Sequence, residues 1–183
     1  MMTELQTKKQ THYFNLVDID NNGFIEKEDW EKIGENLAAM RNIEQGSETY
    51  KGIQAGLGTI WTNLQEHADV DSDGKVSLEE WLLFEDEKVI NCDEEWYDSY
   101  VNNIVRGLFA VLDEDQNGVI SQVEYINLMV SFHVSPSDAR DAFQKLDSDG
   151  SGTIDEAELI QAVRDFHRSD KPETPGNWLF GPH

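Results

Sequence analysis

The chain has 183 residues, 37 of them acidic and 14 basic, for a formal net charge of −23, and about a tenth are aromatic. That length suits one compact domain or two small ones, and the aromatic content excludes a disordered acidic tail. A surface this acidic repels nucleic acid and anionic membranes and attracts cations.

The first residues, MMTELQTKKQTHYF, lack the apolar run of a signal peptide, and no later stretch is apolar for long enough to cross a bilayer. The single cysteine, Cys92, allows no internal disulfide. These features read as a soluble, cytoplasmic chain with Cys92 near a helix end.

From the N-terminus, HYFNLV and WEKIGENLAAM carry apolar residues at helical spacing on either side of an acidic loop, DIDNNGFIEKED at 18–29. The next segment, RNIEQGSETYKGIQAGLG, either extends a helix or adds a kinked link. Gly52, Gly56 and Gly58 argue against an unbroken helix there. IWTNLQEHA and WLLFEDEKVI then flank DVDSDGKVSLEE at 69–80, and IVRGLFAVL and YINLMVSF flank DEDQNGVISQVE at 113–124. ARDAFQKL and LIQAVRDF flank DSDGSGTIDEAE at 147–158. Beyond them, Pro172, Pro175, Gly176 and Pro182 forbid a regular helix in a tail that nevertheless contains Trp178, Leu179 and Phe180. Large apolar groups are seldom left exposed, so the tail is expected to plug its own protein.

The four acidic loops share one layout, the EF-hand loop. Asp stands first and third, an oxygen-bearing side chain fifth, Gly sixth, a branched apolar residue eighth and a carboxylate twelfth. A hard cation such as Ca²⁺ takes six to eight oxygens, and alternate positions of a tightly turning loop point inward. The candidate ligands of the first loop are Asp18, Asp20, Asn22, Phe24 through its carbonyl, Glu26 and Asp29. In the second they are Asp69, Asp71, Asp73, Lys75 (carbonyl), Ser77 and Glu80. The third offers Asp113, Asp115, Asn117, Val119 (carbonyl), Ser121 and Glu124. The fourth offers Asp147, Asp149, Ser151, Thr153 (carbonyl), Asp155 and Glu158.

Gly23, Gly74, Gly118 and Gly152 make the sharp turn at position six with positive φ. The eighth residues, Ile25, Val76, Ile120 and Ile154, face the core and pair between neighbouring loops through a short β-bridge. The fold class is therefore all-α, with four helix–loop–helix units in two pairs packed into one compact body. The N-terminal pair spans 1–91, the C-terminal pair 92–168, and the non-helical tail 169–183.

The first loop departs from the pattern at Asp29, where the other loops have Glu. Asp is one methylene shorter than the Glu that reaches across the loop and gives both oxygens to Ca²⁺. A smaller six-coordinate cage moves toward the preference of Mg²⁺. Up to four Ca²⁺ are expected, with Mg²⁺ at 18–29, and no catalytic constellation is visible. His12, His67, His133, His167 and His183 are scattered.

Asp at position twelve of the first loop, the long interval between the first two loops and the tail DFHRSDKPETPGNWLFGPH together resemble the sarcoplasmic calcium-binding proteins, with the calerythrin-like proteins a close second comparison. The resemblance implies two EF-hand pairs in one body that buffers Ca²⁺ and Mg²⁺ in the cytosol. Members of that family often have a degenerate second or fourth loop, whereas all four are complete here.

Two other functions share the fold. A calcium sensor opens a Met-rich groove to a protein target, but only Met40 and Met129 lie inside the chain, against 18 aromatics. Photoproteins and luciferin-binding proteins hold an imidazolopyrazinone in an aromatic cavity. Photoproteins place Trp four residues after a His on the last helix, and LIQAVRDFHRSD has no such pair. Any apolar cavity is expected to be filled by side chains. The reading is a monomeric, non-enzymatic buffer whose partners are divalent metal ions, with no nucleic acid, no membrane and no evident protein target.

Overall fold

A computed structural model describes residues 1–183. It has eight α-helices: α1 (Glu4–Val17), α2 (Lys27–Met40), α3 (Glu48–Ala68), α4 (Leu78–Phe84), α5 (Glu94–Leu112), α6 (Gln122–Ser131), α7 (Pro136–Leu146) and α8 (Glu156–Arg168). Between them lie four two-residue strands, β1 (Phe24–Ile25), β2 (Val76–Ser77), β3 (Ile120–Ser121) and β4 (Thr153–Ile154). β1 pairs antiparallel with β2, setting Ile25 opposite Val76, and β3 pairs with β4, setting Ile120 opposite Ile154. All four of these eighth-position side chains are fully buried, so each bridge closes a pair of loops over the core.

The long first interval is α3, an unbroken helix through Gly52, Gly56 and Gly58. Of the two alternatives for this segment, an extended helix or a kinked link, residues 48–58 take the helix. Each glycine costs about 1 kcal/mol against alanine. Ile53, Leu57, Trp61, Leu64 and Ala68 bury one continuous face, and each large apolar side chain so buried returns about 1.5–3 kcal/mol. A second departure follows the second loop: α4 ends at Phe84 and the chain continues as a π-helical segment, Glu85–Ile90. That wider winding places Glu85 and Val89 in the interior.

One apolar core of 37 buried residues runs through both loop pairs, including Phe14, Ile33, Leu57, Val105, Phe143 and Phe166. α2 packs on α3 and α6, α1 on α4 and α8, and α5 on α8. Polar clasps cross the same boundary. The nearly buried Arg41 donates to the carbonyls of Val111 (2.7 Å) and Leu112 (3.0 Å), at the end of α5. A cation on the last carbonyls of a helix satisfies orphan acceptors and opposes the negative end of its dipole.

The tail is tied down along its length. It turns through a 3₁₀ segment, Pro175–Trp178, against α8 and α7. Fully buried Lys9 donates to the Asp165 and Ser169 carbonyls, both at 2.9 Å, and to Asn177 Oδ1 at 2.7 Å. Burial pulls its ammonium down to about 8, with Asp165 and Asp170 opposing. Tyr125 donates its hydroxyl to the Leu179 carbonyl at 2.8 Å. The Phe180 ring stacks on Tyr13 at 4.0 Å between centroids and meets Phe166 edge-on. Gly176 lies so close to α8 that a Cβ there would fall 2.3 Å from Cβ of Asp165.

Candidate metal centres

Each acidic loop begins as the C-cap of the incoming helix, and its ninth residue is the N-cap of the outgoing one. Asp18, Asp69, Asp113 and Asp147 cap α1, α3, α5 and α7, their N–H groups donating to Phe14, Gln65, Phe109 and Phe143 carbonyls. The same four carboxylates reach inward and accept from the backbone N–H groups of positions five and six. For Asp18 these are Asn22 at 3.0 Å and Gly23 at 2.9 Å, and Asp113 and Asp147 repeat the pair with similar lengths. The sixth-position glycines have φ between 84° and 90°. The fourth positions, Asn21, Ser72, Gln116 and Gly150, are also left-handed, a feature the sequence reading missed. Asn is several-fold enriched in that conformation and Gly adopts it freely, so Asn21 and Gly150 carried the signal.

Positions nine and twelve form a capping box. Ser77 and Glu80, Ser121 and Glu124, and Asp155 and Glu158 satisfy each other's backbone donors at the starts of α4, α6 and α8. The twelfth carboxylate also reaches back to the second residue of its loop: Glu80 to Val70 N–H (3.0 Å), Glu124 to Glu114 (2.8 Å), Glu158 to Ser148 (2.8 Å). Asp29 makes the same two contacts, to Ile19 N–H at 3.0 Å and Glu26 N–H at 2.8 Å, with one methylene fewer. The first loop is therefore drawn in where Asp29 closes it. Burial holds the Asp29 carboxyl above its usual range against those two hydrogen bonds, with Asp20 and Asp18 adding repulsion.

Carboxylates converge in every loop. Oxygens of Asp18, Asp20 and Asp29, of Asp69, Asp71 and Asp73, of Asp113, Asp115 and Glu124, and of Asp147, Asp149 and Glu158 lie within 4.8 Å of one another. In the second loop Asp73 takes the place in this cluster that the twelfth residue has in the others. Like charges at that spacing repel, and the donor set, all oxygen, suits a hard divalent cation. Neutral donors fall in between: Asn22 and Asn117 accept from Phe24 and Val119 N–H, both at 2.9 Å. Ser151 donates to the Thr153 carbonyl at 3.0 Å, bringing position five against position seven.

Glu26 is the exception at position nine. Its carboxylate pairs with Lys75 Nζ of the neighbouring loop at 2.7 Å and accepts from Asn22 Nδ2 at 2.7 Å. The Lys75 hydrogen bond, followed by that from Asn22, holds the Glu26 carboxyl below its usual range. The charge expected from Glu26 is therefore shared with a lysine whose backbone stands at position seven of the second loop.

Beside the first two loops is a feature the sequence reading expected to be filled, a cavity of about 400 Å³. Buried Trp30, Trp81 and Phe84 and the tail's Leu179 and Phe180 line it on one side. Exposed Asn63, His67 and Asn103 mark its mouth between α3 and α5. Trp30 follows Asp29 and Trp81 follows Glu80, so the closing residue of each N-terminal loop is the chain neighbour of a cavity indole. Gly107 contributes no side chain to the lining.

Four acidic loops, each between two helices and bridged in antiparallel pairs, define a four-EF-hand protein. EF-hand family models match residues 10–33, 67–84 and 138–166, and a model described as an EF-hand domain pair matches 102–131. Calerythrin of Saccharopolyspora erythraea is 26% identical over 142 residues, covering 78% of this chain and 80% of that one. Sarcoplasmic calcium-binding proteins I, III and IV of Branchiostoma lanceolatum are 25% identical, covering 75% of each. The calcium-loaded apo form of a coelenterazine-binding protein from Renilla muelleri has the same fold, with a TM-score of 0.84 over the whole of both chains at 20% identity. The chain is a four-EF-hand protein similar to calerythrin and the sarcoplasmic calcium-binding proteins.

Proposed function

We propose that this protein is a cytosolic buffer of Ca²⁺ and Mg²⁺ that takes up to four ions, one per loop. The twelfth position and the carboxylates at one and three, with the oxygens at five, seven and nine, hold each ion. Residues 1–91 and 92–168 act as the two loop pairs. The observation that carries this reading is the convergence of three carboxylates in every loop, at positions one, three and twelve in three of them and at one, three and five in the second. Asp29, reaching the same backbone donors with a shorter side chain, fits the first loop to the smaller cage that Mg²⁺ favours.

A buffer exchanges ions without exposing a groove. The exposed large apolar side chains, Met1, Val70, Leu83, Trp96 and Val123, come from separate elements, and the tail covers the interior beside Tyr13. The test is a Ca²⁺ titration of metal-stripped protein in millimolar Mg²⁺, read by the fluorescence of anilinonaphthalene sulfonate. The dye is expected to respond no more to Ca²⁺ than to Mg²⁺. A rise confined to Ca²⁺ would replace the buffer with a sensor and require a target. The imidazolopyrazinone reading gains the cavity as support, but His167 has no Trp four residues on, so light emission is not part of the proposal.

A further inference from the structure

We propose that Lys75, at position seven of the second loop, is a built-in counter-cation of the first loop: it neutralises Glu26 in metal-free protein and opposes any divalent ion that enters there. This deepens the proposed function and rests on it, because it names a residue that sets how tightly one of the four loops holds its ion.

Strand register brings the two residues together. β1 and β2 set Phe24 opposite Ser77 and Ile25 opposite Val76, so the next pair along is Glu26 with Lys75. Residues directly opposite on an antiparallel pair hold their side chains within reach of each other. Lys75 Nζ lies 2.7 Å from Glu26 Oε1 and sits over the Phe24 ring, 5.2 Å from its centroid. Asn22 Nδ2 donates to the other oxygen, Oε2, at 2.7 Å. Both oxygens of Glu26 therefore face donors, at the ninth position, where an ion or its bound water would draw on them. Asp73 and Asp20 also attract the ammonium, but its one ion pair is with the neighbouring loop.

The C-terminal pair has the same bridge without the cation. Ile120 lies opposite Ile154 and Ser121 opposite Thr153, so the acidic ninth residue of the fourth loop, Asp155, stands against Val119. Of the seventh residues, Phe24, Lys75, Val119 and Thr153, only Lys75 is charged. The backbone carbonyl at that position serves its own loop whatever the side chain. The Lys75 ammonium is thus free to act on the loop across the bridge. A divalent ion near position nine would meet a positive charge close by, and that repulsion depends on charge rather than on ionic radius. Lys75 lowers the affinity for Ca²⁺ and Mg²⁺ together, whereas Asp29 acts on the choice between them.

The test is Lys75→Met in the full chain, with ion binding followed loop by loop through the amide resonances of Gly23, Gly74, Gly118 and Gly152. First-loop affinity for Ca²⁺ and for Mg²⁺ should each rise about fivefold at low ionic strength, and by less in high salt. The metal-free variant should melt at a lower temperature than the metal-free parent, because its first loop has lost a counter-charge. A merely structural role would lower stability and affinity together, so opposite signs on the two readouts mark the counter-cation. Lys75→Arg keeps the charge and should match the parent. Val119→Lys, which places a cation against Asp155, should weaken the fourth loop by a similar factor. First-loop affinity that is unchanged or lower in Lys75→Met, with the parent still binding ions, overturns the proposal and leaves the buffer reading standing. If no loop of the parent takes up an ion, both fail.

Discussion

Asp29 separates the first loop from the other three by a single methylene, yet its two backbone contacts match theirs. The loop has moved to the side chain. Asp29→Glu restores the reach of a bidentate ligand and relaxes the contraction. It should raise the preference for Ca²⁺ over Mg²⁺ at this loop by about tenfold, on the order of 1.4 kcal/mol. Competitive isothermal titration on parent and variant checks this. Equal selectivity would mean that Asp29 does not set the ion. The candidate ligand residues were legible as a pattern, because oxygen coordination calls for oxygen-bearing side chains at a fixed spacing. The Glu26–Lys75 pair was not, because it joins residues 49 positions apart that meet only when β1 and β2 are in register.

Among the elements, the tail makes the strongest local demand. Only glycine fits at 176, where a Cβ would also approach the Ala162 carbonyl oxygen to 2.7 Å. Gly176→Ala must push the 3₁₀ turn off α8, and overpacking of this kind costs about 1–3 kcal/mol. Removing residues 172–183 takes Asn177 from Lys9 and Phe180 from Tyr13, so it should destabilise more than the point variant and weaken metal binding. Urea unfolding and a Ca²⁺ titration measure both effects. Unchanged midpoint and affinity in the truncated chain would refute the plug. The apolar run Trp178–Phe180 announced a docking segment, but its partners on α1, α6 and α8 were out of view in the sequence.

For the whole molecule, the governing quantity is charge. Of the 37 acidic residues, 15 stand at ligand positions of the four loops, and without cations each cluster repels itself across a few ångströms. Metal bound only to the folded chain stabilises it by about 2.7 kcal/mol per site at a hundredfold excess over Kd. Chelation with EDTA should therefore lower the melting temperature. Added monovalent salt should recover part of the loss, because exposed like charges are screened. Calorimetry with and without metal decides the matter. Coincident melting curves would mean that the loops contribute nothing to folding. Because one core joins both pairs, the metal-loaded chain should melt in a single transition.

What the sequence by itself determined is whatever repeats locally: the four acidic loops, the turn glycines and the helices on either side. Each of these follows from chemistry within a dozen residues, and the repeat made it readable four times over. The tertiary structure decided the rest. It kept α3 intact through three glycines, because burial of one helical face exceeded their cost. It widened the helix at Glu85, and it left a cavity where side chains were expected to meet. A void is a property of how several rigid surfaces fail to interlock, and no single segment encodes it.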